Sequence, residues 1–340
     1  MPRAKYWLTR LIGLLLLYSV GHGVLIWLGT IGIHPEQWIA SLIGYATTSE
    51  AAVWLWWTLP AVVGLIVLGV WELNSQSQFS ARAVSRNAKR IPARNVREVV
   101  RLISPGANID FDFSEGLISR AFPDAGSFTS WETVHDGKEL LVHNVPELGL
   151  HGSRSRILAE PRYAWVLNFR DCRSLSLRNL VIGHTEPGYC QGGVLRFENC
   201  SDVIIEKCEL FGSGTYALEL QDCDNFEICD SLIRDCTYGI GNFRNISAVT
   251  FRNCDFRDNR QFDLLNFAGA ANKVMFKSCN FRGNHSSGYL FNFSALNARH
   301  SIYLNDSTVV GNTFVGLADI RLSQNNNKIY DNKTPSLRPL

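Results

Sequence analysis

Apolar and polar positions follow two different rules along this chain. Near its start the apolar residues fall in two long runs. Residues 11–33, LIGLLLLYSVGHGVLIWLGTIGI, hold no Asp, Glu, Lys or Arg, and residues 51–71, AAVWLWWTLPAVVGLIVLGVW, hold no ionisable side chain. Each run matches the roughly 20 apolar residues that cross a bilayer as a helix. A core helix of a globular protein rarely stays apolar on every face for so long. The first run is too long for a signal peptide, and no small-x-small cleavage site follows it. The pattern predicts an α-helical two-span membrane segment within residues 1–75, with Pro60 kinking the second span. His22, between Gly21 and Gly23, is either a functional group within the span or a packing residue.

Lys and Arg set the expected orientation. Arg3, Lys5 and Arg10 precede the first run, residues 34–50 carry neither type, and seven basic residues lie between Arg82 and Arg101. The positive-inside rule then places the protein in the inner membrane as a multi-pass protein, with both termini and all residues after the second span in the cytoplasm. Residues 76–94 read as a basic juxtamembrane linker lying on anionic lipid.

After residue 95 the rule changes to short alternating segments that recur. VLNFRDC (166–172), VLRFENC (194–200), ALELQDC (217–223), IGNFRNI (240–246), LLNFAGA (264–270) and LFNFSAL (290–296) align. Their fourth positions, Phe169, Phe197, Leu220, Phe243, Phe267 and Phe293, are separated by 28, 23, 23, 24 and 26 residues. A second row follows at Leu177, Ile205, Ile228, Phe251, Phe276 and Leu304, and further positions recur as Cys or Ser and then as Ser, Cys or Asn. The steps are too short for helix pairs and fit a solenoid coil of three short strands. Asn tolerates the left-handed backbone of a tight corner and can bond to the Asn one coil away. Residues 95–334 are therefore expected to form a parallel β-helix, and three-strand coils with Asn corners favour the right-handed form. The apolar first-position row, Val166, Val194, Ile240, Leu264 and Leu290, is either buried at a bend or open to a partner. Residues 335–340 are a tail.

Composition changes this picture little. Basic and acidic residues number 33 and 31 in 340, which gives no global argument for nucleic acid, and none is expected as a partner. All nine cysteines lie between residues 172 and 279, without a CxxC pair or zinc-ligand spacing. Free buried thiols are expected, and no metal or cofactor.

The stretch ILAEPRYAWVLNFRDCRSLSLRNLVIGHTEPGYCQGGVLRFENCSDVIIEKCELFGSGTYALEL resembles the pectin lyase-like right-handed β-helix superfamily, in particular its right-handed parallel β-helix repeat proteins. NVREVVRLISPGANIDFDFSEG resembles the amphipathic helix that caps the open N-terminal end of such solenoids, followed by the first strand. The resemblance implies the fold but leaves activity open, because this fold hosts lyases, hydrolases, epimerases and binding modules. The superfamily's polygalacturonase-like members carry Asn-Thr-Asp, Asp-Asp, Gly-His-Gly and Arg-Ile-Lys motifs. Here Gly183-His184 is followed by Thr185, and the other three motifs are missing.

Two candidate sites remain. The coil between Phe169 and Phe197 exceeds the shortest by five residues, which lengthens the loop His184–Gly192. Long loops are where solenoids keep sites. His184 and Glu186 could form an acid–base pair beside Arg196 and Glu219; alternatively Pro187 and Gly188 make a plain turn and His184 bonds locally. Asp171 and Asp222 share a repeat position two coils apart, about 10 Å, a marginal separation for an inverting glycosidase. The third strand position gives a polar row: Asn168, Arg196, Glu219, Asn242, Asn266 and Asn292. It alternates with the inward Phe row, so it faces outward and either lines a groove for an extended glycan or is a solvated face. The leading expectation is a membrane-held recognition or assembly module whose partners are the lipid bilayer, a glycan or protein, and further copies as a homo-oligomer. The alternatives are a membrane-tethered polysaccharide lyase or glycoside hydrolase, and a two-helix membrane effector gated by the solenoid.

Overall fold

The computed structural model describes residues 89–186, 192–296, 300–318 and 322–335, all within the unit Phe79–Leu340. They form an all-β right-handed solenoid with a single α-helix, α1, Val96–Leu102. Each coil contributes strands to three parallel faces. The face called sheet 1 includes Leu167–Arg170 and Leu195–Glu198; sheet 2 includes Ser201–Glu206 and Val274–Lys277; sheet 3 includes Glu209–Phe211, Leu232–Arg234, Asp255–Arg257 and Asn280–Arg282. Long strands such as Tyr216–Cys229 and Gly239–Arg252 turn the corner from sheet 1 into sheet 2 without a break.

The register follows the repeat. Phe169 pairs with Phe197, Phe197 with Leu220, Leu220 with Phe243 and Phe243 with Phe267. On sheet 2 the column runs Leu177, Ile205, Ile228, Phe251, Phe276, Leu304. These side chains point inward and are almost wholly buried. Rings one coil apart stack: Phe251 on Phe276 and Phe256 on Phe281, each with centroids 4.6 Å apart. That distance is close to the spacing of neighbouring strands, so the backbone ladder sets the aromatic stacking. The first-position row is buried as well, with Val166, Val194, Ile240, Leu264 and Leu290 all at 0 % exposure.

Corners demand a left-handed backbone, and the residue types answer it. Among the described residues, twenty-two non-glycine residues have positive φ, and fifteen of them are Asn or Asp, whose short polar side chains tolerate that region. Several corners are bonded across coils: Asn199 donates to Asp171 at 2.5 Å, Asn225 to Asp202 at 2.6 Å, Asn245 to Asp222 at 2.8 Å and Asn253 to Asp230 at 2.6 Å. A separate Asn ladder runs inside the tube. The Asn259, Asn284 and Asn312 amides donate in turn to the next coil's Asn Oδ1 at 2.9–3.0 Å, ending on Asn332. The same Nδ2 groups also donate to strand carbonyls, among them Phe256 O at 2.8 Å.

Helix α1 caps the first coil. Asn95 accepts from Glu98 N at 3.1 Å, and Glu98 accepts from Arg94 N at 2.7 Å, so both ends of the first turn are satisfied. Val96, Val99 and Val100 face the core. Two features go beyond the sequence pattern. Ile91–Ala93, within the stretch read as linker, is a strand paired in parallel with Ala107–Phe111. An antiparallel hairpin, Thr129–Val134 with Gly137–His143, joins sheet 1 by pairing Leu141 with Asn168.

The expected fold class needs correction. The solenoid stands, but the α-helical two-span segment does not. No helix of the described residues is long and apolar enough to cross a membrane. The seven residues of α1 rise only about 10 Å, against about 30 Å of hydrocarbon. Residues 11–33 and 51–71 lie outside the described residues. The inner-membrane, multi-pass localisation is corrected with it, and neither the lipid-bilayer partner nor the homo-oligomer has support.

Candidate functional site

The polar row of sheet 1 is in register across six coils: Asn168, Arg196, Glu219, Asn242, Asn266 and Asn292 pair successively. Alternation along each strand sends these side chains outward while the Phe column goes inward. Asn168 differs from the rest. It is completely buried, and its amide donates to Oε1 of buried Glu139 at 3.0 Å; Oε2 of the same carboxylate accepts from Trp165 N at 2.8 Å. Glu139 lies on the hairpin, so the hairpin closes this end of the row. The open row begins at Arg196.

There a chain of charges crosses the face. Arg170 meets Glu132 and Glu198, each at 3.2 Å, and Arg196 meets Glu219 at 3.1 Å. Glu219 Oε2 accepts from Asn242 Nδ2 at 3.3 Å. Farther along, Asn292 donates to Asn266 Oδ1 at 3.0 Å and to Asp263 Oδ2 at 2.7 Å. Asp263 Oδ1 accepts from Tyr289 N at 2.6 Å, and Asn266 Nδ2 donates to Asp263 O at 3.1 Å. Asn266 Nδ2 also lies 3.5 Å from the Tyr216 hydroxyl. Burial, then the carboxylates of Glu219 and Asp263 and the Tyr238 phenol, push the Tyr216 phenol above its usual range. The hydroxyl stays neutral and accepts from Asn266 Nδ2.

Two aromatic rings stand at the edge where the chain enters this face. Tyr238 is 40 % exposed and Phe262 50 %, with centroids 4.9 Å apart. Each precedes a row residue, Asn242 or Asn266, by four positions. Single exposed rings are ordinary, but two in contact make a small apolar patch.

The long loop is built differently. His184 ends the strand Arg173–His184, is 2 % exposed, and bonds through Nε2 to Gly193 O at 3.0 Å. Burial holds its pKa below the ordinary imidazole value, against the opposing pull of the Gly193 carbonyl and Asp136. Glu186 pairs instead with Arg162, beside an open cleft of about 400 Å³ that also touches Asp136 and Glu160. The structure thus gives His184 and Glu186 separate partners, and Arg196 turns to Glu219. The loop returns through Gly192 and Gly193 for a steric reason: a Cβ at Gly193 would meet the Trp165 ring at 1.8 Å. Asp171 and Asp222 both occupy left-handed corners, bonded by Asn199 and Asn245. No three His, Cys, Asp or Glu side chains converge as a metal site among the described residues.

Sequence reasoning missed Asp263, Tyr216, Tyr238, Phe262 and Glu139. Asp263 and the two exposed aromatics sit where coil length varies, so no fixed repeat position marks them. Glu139 belongs to the hairpin, which lies outside the repeat.

Residues 167–334 match the model of the family described as the right handed beta helix region. That match covers just under half of the chain, and the fold of the described residues is a right-handed β-helix solenoid. Among solved structures, the solenoid is similar to ORF18 of Geobacillus virus E2, at 10% identity and a TM-score of 0.38, over 80% of this chain and 64% of that one. It is also similar to the enzymatically active domain of bacteriophage CBA120 tailspike protein 2, at 12% identity and a TM-score of 0.27, over 74% of this chain and 43% of that one. The chain spans less than two thirds of either. No curated protein matches it.

Proposed function

We propose that sheet 1 of the solenoid is a recognition surface for an extended glycan. The supporting observation is the in-register open row from Arg196 to Asn292, flanked by the exposed Tyr238–Phe262 pair. Sugars present a hydroxyl rim and an apolar C–H face. Amides and carboxylates match the rim, and an exposed ring matches the face. The row is held in place beforehand by its own hydrogen bonds, which lowers the ordering cost of binding. Successive coils repeat the same group types, as a polymer repeats its residues. Nothing in this reading needs a bond to be broken.

The test is a titration of the full chain against a panel of neutral and acidic oligosaccharides, with Tyr238→Ala and Asn242→Ala alongside. The expected result is saturable binding that each variant weakens roughly tenfold, corresponding to about 1.4 kcal/mol, at unchanged melting temperature. Equal affinity in both variants would remove the surface from this role. Release of new sugar ends by the wild-type protein, lost in Glu219→Gln, would replace recognition with catalysis.

A further inference from the structure

Sheet 3 carries an arginine column on its outer side. Arg234, Arg257 and Arg282 occupy the same strand position in three successive coils and are paired in register. Adjacent guanidinium groups about 4.8 Å apart at the backbone repel unless each is neutralised. Two of them are. Arg234 reaches Glu209 Oε1 through Nη2 at 2.6 Å and through Nε at 2.9 Å, and also pairs with Asp235. Arg282 takes Asp255 through Nη2 at 2.6 Å and Nε at 3.1 Å.

The geometry has one rule: each arginine grips a carboxylate one coil earlier and two positions upstream. Glu209, Leu232 and Asp255 are register partners in that neighbouring column. Arg234 thus finds Glu209 and Arg282 finds Asp255, but the position offered to Arg257 is Leu232. Among the described residues Arg257 has no ion pair, and its Nε is buried without a hydrogen-bond partner. Of the other acids here, Glu209 and Asp235 hold Arg234 and Asp255 holds Arg282; Asp258, at the corner position from which Asp235 reaches Arg234, forms no ion pair with Arg257 among the described residues.

We infer that Arg257 is an oxyanion site, filled by a carboxylate or sulfate of an acidic saccharide where Leu232 leaves the place of a carboxylate open. A guanidinium fork binds such groups through two parallel N–H donors. The half-buried Leu232 offers the sugar an apolar neighbour in place of a competing charge. A polyphosphate fits less well: it would bring closely spaced charges past Glu209, Asp235 and Asp255, which repel it. One open cation among neutralised ones suits a chain with sparse charges. This site is on a different face from the row of sheet 1 and does not depend on it.

The experiment uses the full chain and four probes: oligogalacturonate, a sulfated dextran oligomer, neutral dextran and single-stranded DNA. Wild-type protein is expected to bind the carboxylated or the sulfated probe, which separates the two sources of oxyanion, and to ignore neutral dextran. Arg257→Gln should weaken this binding about tenfold. Leu232→Glu should weaken it as much by supplying the missing internal partner, although Arg257 is intact and the protein keeps or gains thermal stability. Arg244→Gln, on another face, should change nothing. Failure to bind either acidic probe, equal binding by Leu232→Glu, or tighter binding of DNA would each overturn the inference. Loss of binding in Tyr238→Ala but not in Arg257→Gln would move the anion to sheet 1, which leaves the glycan reading standing and removes this one.

Discussion

At the scale of a residue, the solenoid is most exacting where a polar group is enclosed. His151 is 6 % exposed, and neither ring nitrogen has a hydrogen-bond partner among the described residues. Burial, with Arg90 and Arg178 nearby and only Asp110 opposing, lowers its pKa from 6.5 to about 4. The folded state therefore prefers the neutral ring more strongly than the unfolded chain does. Between pH 6.5 and pH 4 the unfolded state binds more protons, so stability falls as pH falls through that window. His184 shifts in the same direction for the same first cause. Urea titrations at pH 7.5 and pH 4.5 should differ by about 2 kcal/mol more in wild type than in His151→Gln. Equal pH dependence in the two proteins would show that His151 titrates freely. The sequence offered little warning here: His151 falls before the clear repeat, and its environment depends on residues such as Arg178, a coil away.

At the scale of an element, the repeat made the columns legible because inward positions keep one chemistry while the chain passes every 23–28 residues. Phe169, Phe197 and Phe243 share one repeat position; Phe169 stacks on Phe197, and Phe243 lies tilted against Phe267 at 5.1 Å. The same logic reached Asn259, Asn284 and Asn312. Each of these amides satisfies a strand carbonyl and the next Asn at once, so the ladder is a structural element in its own right. Asn284→Ala would orphan Phe256 O and remove the acceptor for both Asn259 donors. Two or three buried groups without partners predict a loss of about 3–5 kcal/mol, read as a fall in the urea midpoint. A loss below 1 kcal/mol would mean that water replaces the amide. Elements outside the repeat were not legible. The hairpin Thr129–Val134 with Gly137–His143 has its own turn and register, and only its contact through Glu139 explains why Asn168 is buried rather than part of an open groove. The loop at His184 looked like a site because it was long. Its residues 187–191, Pro187 and Gly188 among them, lie outside the described ones, and where it rejoins the strand Gly193 passes Trp165 without room for a Cβ.

At the scale of the whole molecule, each coil touches its neighbours and little else, so stability is distributed along the axis. The two ends are unequal. Helix α1 covers the first coil, whereas Ile329, at the end of the buried column that includes Phe256, Phe281 and Val309, is 43 % exposed. Opening should begin at that exposed end. Amide exchange is expected to be slowest in 195–282 and at least tenfold faster in 323–330, where every strand residue is exposed. Uniform protection throughout would mean that the described coils unfold as one unit. The repeat spacing carries the overall architecture, but the apolar runs before residue 72 support a whole-molecule expectation that the described structure does not carry.

The cysteines give this axis a chemical scale. Cys172, Cys200 and Cys223 lie in successive coils, and each sulfur reaches a carbonyl of the coil before it, at 3.5–3.6 Å. Cys254 and Cys279 continue the pattern on sheet 2. All eight described cysteines are buried free thiols, and burial raises Cys208 and Cys223 to about 12. Closed coils are thus inert to alkylation, and an opened coil becomes reactive. The molecule carries numbered fuses along its length, and the order in which they blow records the path by which the tube comes apart.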